Sequence, residues 1–219
     1  MKLTQAIEDY LKQIYKLEQT EKGATTSSIA GAMQVSAASV TSMLKRLSKL
    51  NLIDYSSYKA VTLTETGRHT ALETIRHHRL LELFLVEKLN FNWDEVHEEA
   101  DTLEHYISEK LEDRIAEILE DPSRDPHGDP IPDKQGQLPA VDWIKMSESE
   151  IGREYLIRRI TEQEPEVLQY LQGIGILPGV KVRIENKGPF EGPITIQIEG
   201  KQEVIGQKIA QKIYLIEYE

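Results

Sequence analysis

Residues 25–66 read TTSSIAGAMQVSAASVTSMLKRLSKLNLIDYSSYKAVTLTET. Thr25-Thr26-Ser27-Ser28 supplies hydroxyls that can cap a helix beginning near Ser28 and running to Met33. Gln34-Val35-Ser36 reads as a short turn with Ser36 as the next N-cap. A second helix then places Val40, Met43, Leu44, Leu47 and Leu50 on one apolar face. Two β-rich runs around a polar tip at Ser56-Ser57 close the stretch. With the amphipathic segment Ala6–Glu18 before it, the order is helix, helix, turn, helix, hairpin, that of a winged helix-turn-helix.

Charge is distributed in a way that supports this reading. The chain has a net charge of −11, which by itself argues against a polyanion partner. Residues 1–80, however, hold eleven Lys/Arg against seven Asp/Glu, while residues 81–150 hold six against twenty. A basic head beside a strongly acidic middle suits a polyanion for one and cations for the other. An ordinary solvated acidic surface would explain the middle equally well on charge alone.

In a helix-turn-helix the N-terminal residues of the second helix meet base edges in the major groove. Here these are Ser36, Ala37, Ala38, Ser39, Thr41 and Ser42, followed by Lys45, Arg46 and Lys49, with Lys22 and Lys59 as further positive charge. Hydroxyls can bond bases or phosphates, and Ala or Thr methyls can touch thymine methyls. With no Asn or Gln and little Arg at the reading positions, specificity is expected from DNA shape and paired half-sites.

Downstream, Gly67 to about Leu89 is helical in pattern, and Val96–Leu119 reads as one further helix. Asp121–Pro139 is rich in Pro, Gly and Asp and reads as an irregular segment or linker. Beyond residue 146, short alternating runs (Tyr155–Ile160, Val180–Glu185, Ile194–Glu199, Gln211–Glu217) and a helix at Pro165–Gln172 point to a small β-barrel. The expected fold is therefore mainly α with small β parts. It divides into a DNA-binding domain (1–73), a helical metal-binding and dimerisation domain with linker (74–145) and an SH3-like domain (146–219).

All six histidines lie between positions 69 and 127. His78 and Glu82 are four apart on a helix and share a face. His97, Asp101, Glu104 and His105 fall within an arc of roughly 100° if the helix is continuous, separate from the apolar stripe of Val96, Ala100, Leu103, Ile107 and Leu111. No Lys or Arg stands between Lys88 and Lys110 to neutralise these carboxylates, and a bound cation would. A lone helical His is usually a packed or surface residue. Two helices each pairing His with carboxylate at i,i+4 are much harder to explain that way. The chain has no cysteine, so oxygen and imidazole are the available donors, which suit Mn²⁺, Fe²⁺, Co²⁺ or Zn²⁺. Absence of cysteine and of any apolar run of ~20 residues fits a cytoplasmic protein without a membrane span.

Four stretches resemble the diphtheria-toxin-repressor/manganese-transport-regulator family along essentially the whole chain: Ile7–Glu18, His78-Arg-Leu-Leu-Glu82, Val96–His105 and Asp121–Pro132. The resemblance implies a homodimeric repressor that binds double-stranded operator DNA with a divalent metal as corepressor. It also implies two metal positions per subunit. One is built from Asp9, Asp101, Glu104 and His105 with Asp125 as a candidate addition. The other is built from His78, Glu82, His97 and His127 with a third-domain carboxylate, Glu164 or Glu166. Iron-responsive members carry Met and Cys where Asp9 and Asp101 stand, so the resemblance favours manganese, with iron or zinc as the alternative. Short manganese regulators carry Glu where Lys12 stands, and Val167 breaks the usual third-domain ligand pair.

Two other functional classes compete for these residues. A metal-dependent hydrolase would need an open coordination position, and neither an HExxH motif, a phosphate loop nor a nucleophile elbow is present. The expectation is that the chain is not an enzyme. A metal-independent winged-helix regulator with an acidic helical dimer leaves the histidine pattern without a purpose.

Overall fold

The computed structural model describes residues 3–56 and 59–218. By internal contacts they form two compact units. One comprises the described part of residues 1–78 with Glu104–Ile107 and Pro132–Gln137; the other comprises Arg79–Leu103, Ser108–Ile131 and the described part of residues 138–219.

The first unit holds α1 (Gln5–Glu18), α2 (Thr26–Met33), α3 (Ala37–Lys49), β1 (Ile53–Asp54), β2 (Thr62–Leu63) and the beginning of α4 (Glu65–Leu89). Its core is the apolar face of each element: Leu11, Ile14, Ile29, Val40, Leu44 and Leu47 have no exposed surface. The Thr25 side chain accepts the Ser28 amide and the Ser28 hydroxyl accepts the Thr25 amide, a reciprocal cap that starts α2. Gln34 ends that helix in the left-handed region, and the Ser36 hydroxyl accepts the Ser39 amide to start α3. These caps set the helix-turn-helix angle. Among the described residues the wing is short: Ile53↔Leu63 and Asp54↔Thr62 pair as strand, with a bridge from Ala24 to Val61. Of the expected tip, Ser57 lies outside the described residues. Gly67 stands where α4 begins because a Cβ there would lie 1.9 Å from the Leu52 carbonyl oxygen.

The helix expected over Val96–Leu119 is interrupted. α5 spans Val96–Leu103 and α6 spans Glu109–Ile118. Ser108 explains the break: its hydroxyl accepts the Leu111 amide, and Glu109 and Glu112 in the first turn suit the positive end of a new helix. Glu104 and His105 therefore stand in a turn, not on the helical stripe that the continuous reading assumed.

In the second unit β3 (Ile144–Lys145), β4 (Glu154–Ile160), β5 (Lys181–Lys187), β6 (Ile194–Ile198), β7 (Lys201–Ile205) and β8 (Ile213–Glu217) form an antiparallel sheet of order β3-β8-β4-β5-β6-β7. Helices α7 (Pro165–Gly173) and α8 (Gln207–Ala210) accompany it. Alternate residues Tyr155, Ile157, Val182, Ile184, Ile194, Ile196, Ile198, Ile213 and Leu215 bury against Leu168, Leu171 and Ile176. Strand β7 has little sequence signal because Ile205 is its one buried residue. It is delivered by a two-residue turn, Glu199-Gly200, with both φ positive.

The Pro/Gly/Asp-rich segment forms no strand or helix between Glu120 and Trp143, yet part of it is tightly bonded. Asp125 Oδ1 accepts the amides of His127 and Asp129, and the Gly128 amide donates to the Asp125 carbonyl. The Ile160 amide donates to the His127 carbonyl, anchoring the turn on β4. Gly128 has φ +88°, and a Cβ there would lie 1.8 Å from the carbonyl oxygen of Arg158, the residue at which β4 slips register against β8.

Candidate metal centres

Among the described residues, two groups of donors lie wholly within a single unit, one in each. In the first unit Asp9 comes from the middle of α1, and Glu104 and His105 come from the turn after α5. One ligand atom from each lies within 4.8 Å of the others. His105 Nε2 is 2.9 Å from Asp9 Oδ1 and 3.3 Å from Glu104 Oε1, and Nδ1 is 2.6 Å from Glu8 Oε2. Despite that proximity, His105 Nε2 is buried and has no hydrogen-bond partner. The Glu104 side chain is wholly buried; its Oε1 accepts from Lys12 Nζ at 2.5 Å and its Oε2 meets His78 Nδ1 at 2.6 Å. His77 Nδ1 donates to the Glu104 carbonyl at 3.1 Å. Burial raises the Asp9 pKa, with Glu104 acting in the same sense, against the opposing pull of His105 and Lys12.

The second unit brings Glu82 from α4 to Asp125 and His127 of the bonded turn, again with ligand atoms within 4.8 Å, and all three are buried. His127 Nε2 donates to the Trp93 carbonyl at 2.9 Å, and the imidazole stacks on the indole with centroids 5.3 Å apart. Its Nδ1 faces Glu82 Oε2 at 3.9 Å, while Glu82 Oε1 meets His97 Nδ1 at 3.1 Å. Burial, reinforced by Asp129 and Glu82, pushes the Asp125 carboxyl up to about 8. Burial works against charge on His127, but the Glu82 and Asp125 carboxylates and the bond to the Trp93 carbonyl outweigh it and raise its pKa. Arg79 and Arg159 both bond Asp129 Oδ1, at 2.8 and 2.7 Å, and brace the turn from outside.

Both groups fit a divalent cation by their chemistry. Each crowds carboxylates around an imidazole in a buried position where unneutralised charge is expensive. In the first, a buried imidazole nitrogen stands 2.9 and 3.3 Å from two carboxylate oxygens without a hydrogen bond of good geometry to either. In the second, an imidazole is held through its far nitrogen by a carbonyl, the arrangement that directs the other lone pair at a metal.

The groupings differ from the expected ones in three respects. Asp125 is grouped with Glu82 and His127, because its Oδ1 holds the turn that carries His127. His78 has a described bond to Glu104. His97 joins Glu82 as expected, whereas Asp101 lies 3.8 Å from His97, one turn along α5, and among the described residues is not grouped with Asp9, Glu104 and His105. Glu164 and Glu166 are exposed, and neither belongs to a donor group among the described residues. The buried carboxylate of that segment is Glu162, but Lys212 at 2.6 Å and two backbone amides engage it. The sequence reading did not single out Glu8, Trp93 and Asp129, because their neighbours come from distant parts of the chain.

On α3, Ser36, Ala37, Ser39, Ser42, Lys45 and Arg46 are exposed, as is Lys59 beyond the wing tip. Thr41 is half-buried and its hydroxyl donates to the Ala37 carbonyl, leaving mainly its methyl to present.

Comparison with known proteins finds three family models along the chain. Residues 2–61 match the iron dependent repressor N-terminal DNA binding domain, residues 64–133 the iron dependent repressor metal binding and dimerisation domain, and residues 144–217 the FeoA domain. The iron-dependent repressor IdeR of Mycobacterium tuberculosis is 30% identical over 92% of each chain. The diphtheria toxin repressor of Corynebacterium diphtheriae is 28% identical over 98% of each. Among solved structures, a manganese-dependent transcriptional repressor in complex with manganese is 37% identical with a TM-score of 0.91, covering 97% of this chain and 100% of that one.

Proposed function

We propose a mode of action for this chain from one premise: it belongs to the iron-dependent repressor family, the metal-dependent transcriptional repressors of the diphtheria-toxin-repressor and manganese-transport-regulator type. Its function is repression of transcription rather than catalysis. The ion, its ligands and the way it acts are our reading.

The corepressor is manganese. Every donor in the two groups is a carboxylate oxygen or an imidazole nitrogen, and hard oxygen donors suit Mn²⁺. A manganese-dependent repressor 37% identical to this chain supports the same choice. Raw affinity would favour zinc, so selectivity rests on coordination number and supply. Iron is the competing reading, favoured by the iron-dependent repressor at 30% identity.

Asp9, Glu104 and His105 would hold one ion; Glu82, Asp125 and His127, with His97 bonded to Glu82, would hold another. A bound cation supplies the positive charge that offsets repulsion within each group. Asp9 then ties α1, the first helix of the DNA-reading domain, to the turn that runs directly into α6. That helix leaves Leu111 and Ile118, seven residues apart, half exposed while Ile115 and Ala116 are buried, a second apolar face suited to another copy of the chain. Coupling reader to dimer helix would hold two α3 helices at successive major grooves of double-stranded operator DNA, about 34–36 Å apart. The ion acts by favouring the DNA-competent arrangement. No described helix is long and apolar enough to cross a membrane; with DNA as the partner, the proposed location is the cytoplasm.

The observation that carries this reading is the buried, unbonded Nε2 of His105 beside the Asp9 and Glu104 carboxylates. Operator-binding isotherms with Mn²⁺, Fe²⁺ and Zn²⁺ at matched salt, beside a chelator, test it. Tight binding with Mn²⁺ and weak binding in chelator is expected; equal affinity in both defeats it.

A further inference from the structure

Lys12 stands three residues after Asp9 on α1 and is buried, at 8% exposure. A lysine ammonium carries three donors and a full charge, and burying one is costly unless a partner compensates it. Glu104 is such a partner: Nζ lies 2.5 Å from Oε1, on a side chain with no exposed surface. That same Oε1 lies 3.3 Å from the unbonded His105 Nε2, so the lysine already occupies one oxygen of the donor group. The other oxygen of Glu104 is bonded to His78. A buried ion pair adds little stability over a well-packed apolar pair, so stability alone gives weak reason for a lysine here.

We propose that Lys12 is a tethered cation of the Asp9–Glu104–His105 group, limiting it to one divalent ion and weakening the hold on that ion. The proposal rests on the reading that this group binds a divalent cation. A compact positive charge on a flexible four-carbon stem neutralises Glu104 when the ion is away, and opposes a second positive charge on the same carboxylate when it is present. The chain thereby releases its ion at concentrations at which an all-carboxylate group would retain it. Lys12 itself touches no DNA-reading residue in this account; it sets where on the metal-concentration axis the repressor responds.

The test is Mn²⁺ titration of the full-length chain by calorimetry, with bound manganese per chain and its electron paramagnetic resonance signal measured in parallel. All samples carry His127→Ala to silence the second group. Lys12→Met removes the charge and should tighten Mn²⁺ binding by about tenfold or more with stoichiometry unchanged. Lys12→Arg keeps the charge and should stay close to the parent. Lys12→Glu supplies a carboxylate in place of the ammonium and should admit a second ion, with the spectrum of a coupled pair. Should Lys12→Met fail to fold, Lys12→Glu decides. Parent-like affinity in Lys12→Met together with parent-like stoichiometry in Lys12→Glu overturns the proposal. If the parent itself binds Mn²⁺ no better than a further Asp9→Ala variant, the reading of the donor group falls instead.

Discussion

His127 gives its Nε2 proton to the carbonyl oxygen of Trp93 across 2.9 Å. A carbonyl can only accept, so the neutral ring carries its proton on Nε2 and keeps a lone pair on Nδ1, the atom that faces Glu82. Stacking on the indole holds the ring plane as well. The imidazole is thus oriented before any ion arrives. Replacing His127 with Ala is expected to remove one equivalent of bound Mn²⁺ per chain, and Glu82→Gln to weaken that equivalent by about 10–100-fold. Calorimetric stoichiometry checks both; an unchanged count in His127→Ala contradicts the assignment.

Asp9→Ala should abolish manganese-dependent operator binding while the chain stays folded, because Asp9 is half-buried on α1 and the core beneath it is untouched. Circular dichroism and a gel-shift titration in Mn²⁺ report the two halves of this expectation. Normal manganese dependence in the variant would remove the link between α1 and the ion.

Gly128→Ala should damage the second donor group without altering a donor. The new Cβ would press on the Arg158 carbonyl from a left-handed backbone, moving the turn that carries Asp125 and His127. The expected result is a lowered melting temperature, corresponding to ~1–3 kcal/mol or more, together with loss of one bound ion. Thermal unfolding with and without Mn²⁺ measures it, and a native-like shift on adding the metal speaks against this role for the turn.

The pH response of the metal-free chain follows from Asp125. Its folded pKa of about 8 lies far above the ordinary aspartate value of 3.8, so between those values the folded form holds a proton that the unfolded chain has lost. Stability from this group is present at low pH and is lost as pH rises through that window. His127, also raised, acts in the same direction above the ordinary histidine range. Metal binding must displace these protons, so the Mn²⁺-induced rise in melting temperature should be larger at pH 8 than at pH 6. Asp125→Asn should flatten the metal-free profile relative to the parent; identical profiles would show that the carboxyl does not titrate there.

On the DNA side, Lys45→Ala should weaken binding to all sequences alike and lower the slope of log affinity against log salt by about 1, as expected for one lost phosphate contact. A change in sequence preference with an unaltered slope would place Lys45 on a base instead.

Local rules carried much of the fold. The caps at Thr25 and Ser36, the apolar faces of α1 and α3 and the alternation of β4, β6 and β8 all depend on near neighbours in the chain, where spacing alone decides which side chains share a face. The Ser108 cap was equally local, but the apolar period across it suggested one long helix. Strand β7 is not legible in the sequence, because an edge strand with one buried residue has no alternation to read.

Composition and spacing alone marked a basic helix-turn-helix reader, an acidic middle rich in histidine and a β-rich end, and therefore a chain whose donors are oxygen and imidazole. Tertiary structure alone decided which donors meet. Helical periodicity relates residues a turn apart; it carries no information about Lys12 and Glu104, or Glu82 and His127, which long stretches of chain separate. Whether a carboxylate faces an ammonium, an imidazole or water depends on packing between those stretches, and that determines its charge and its capacity to hold an ion.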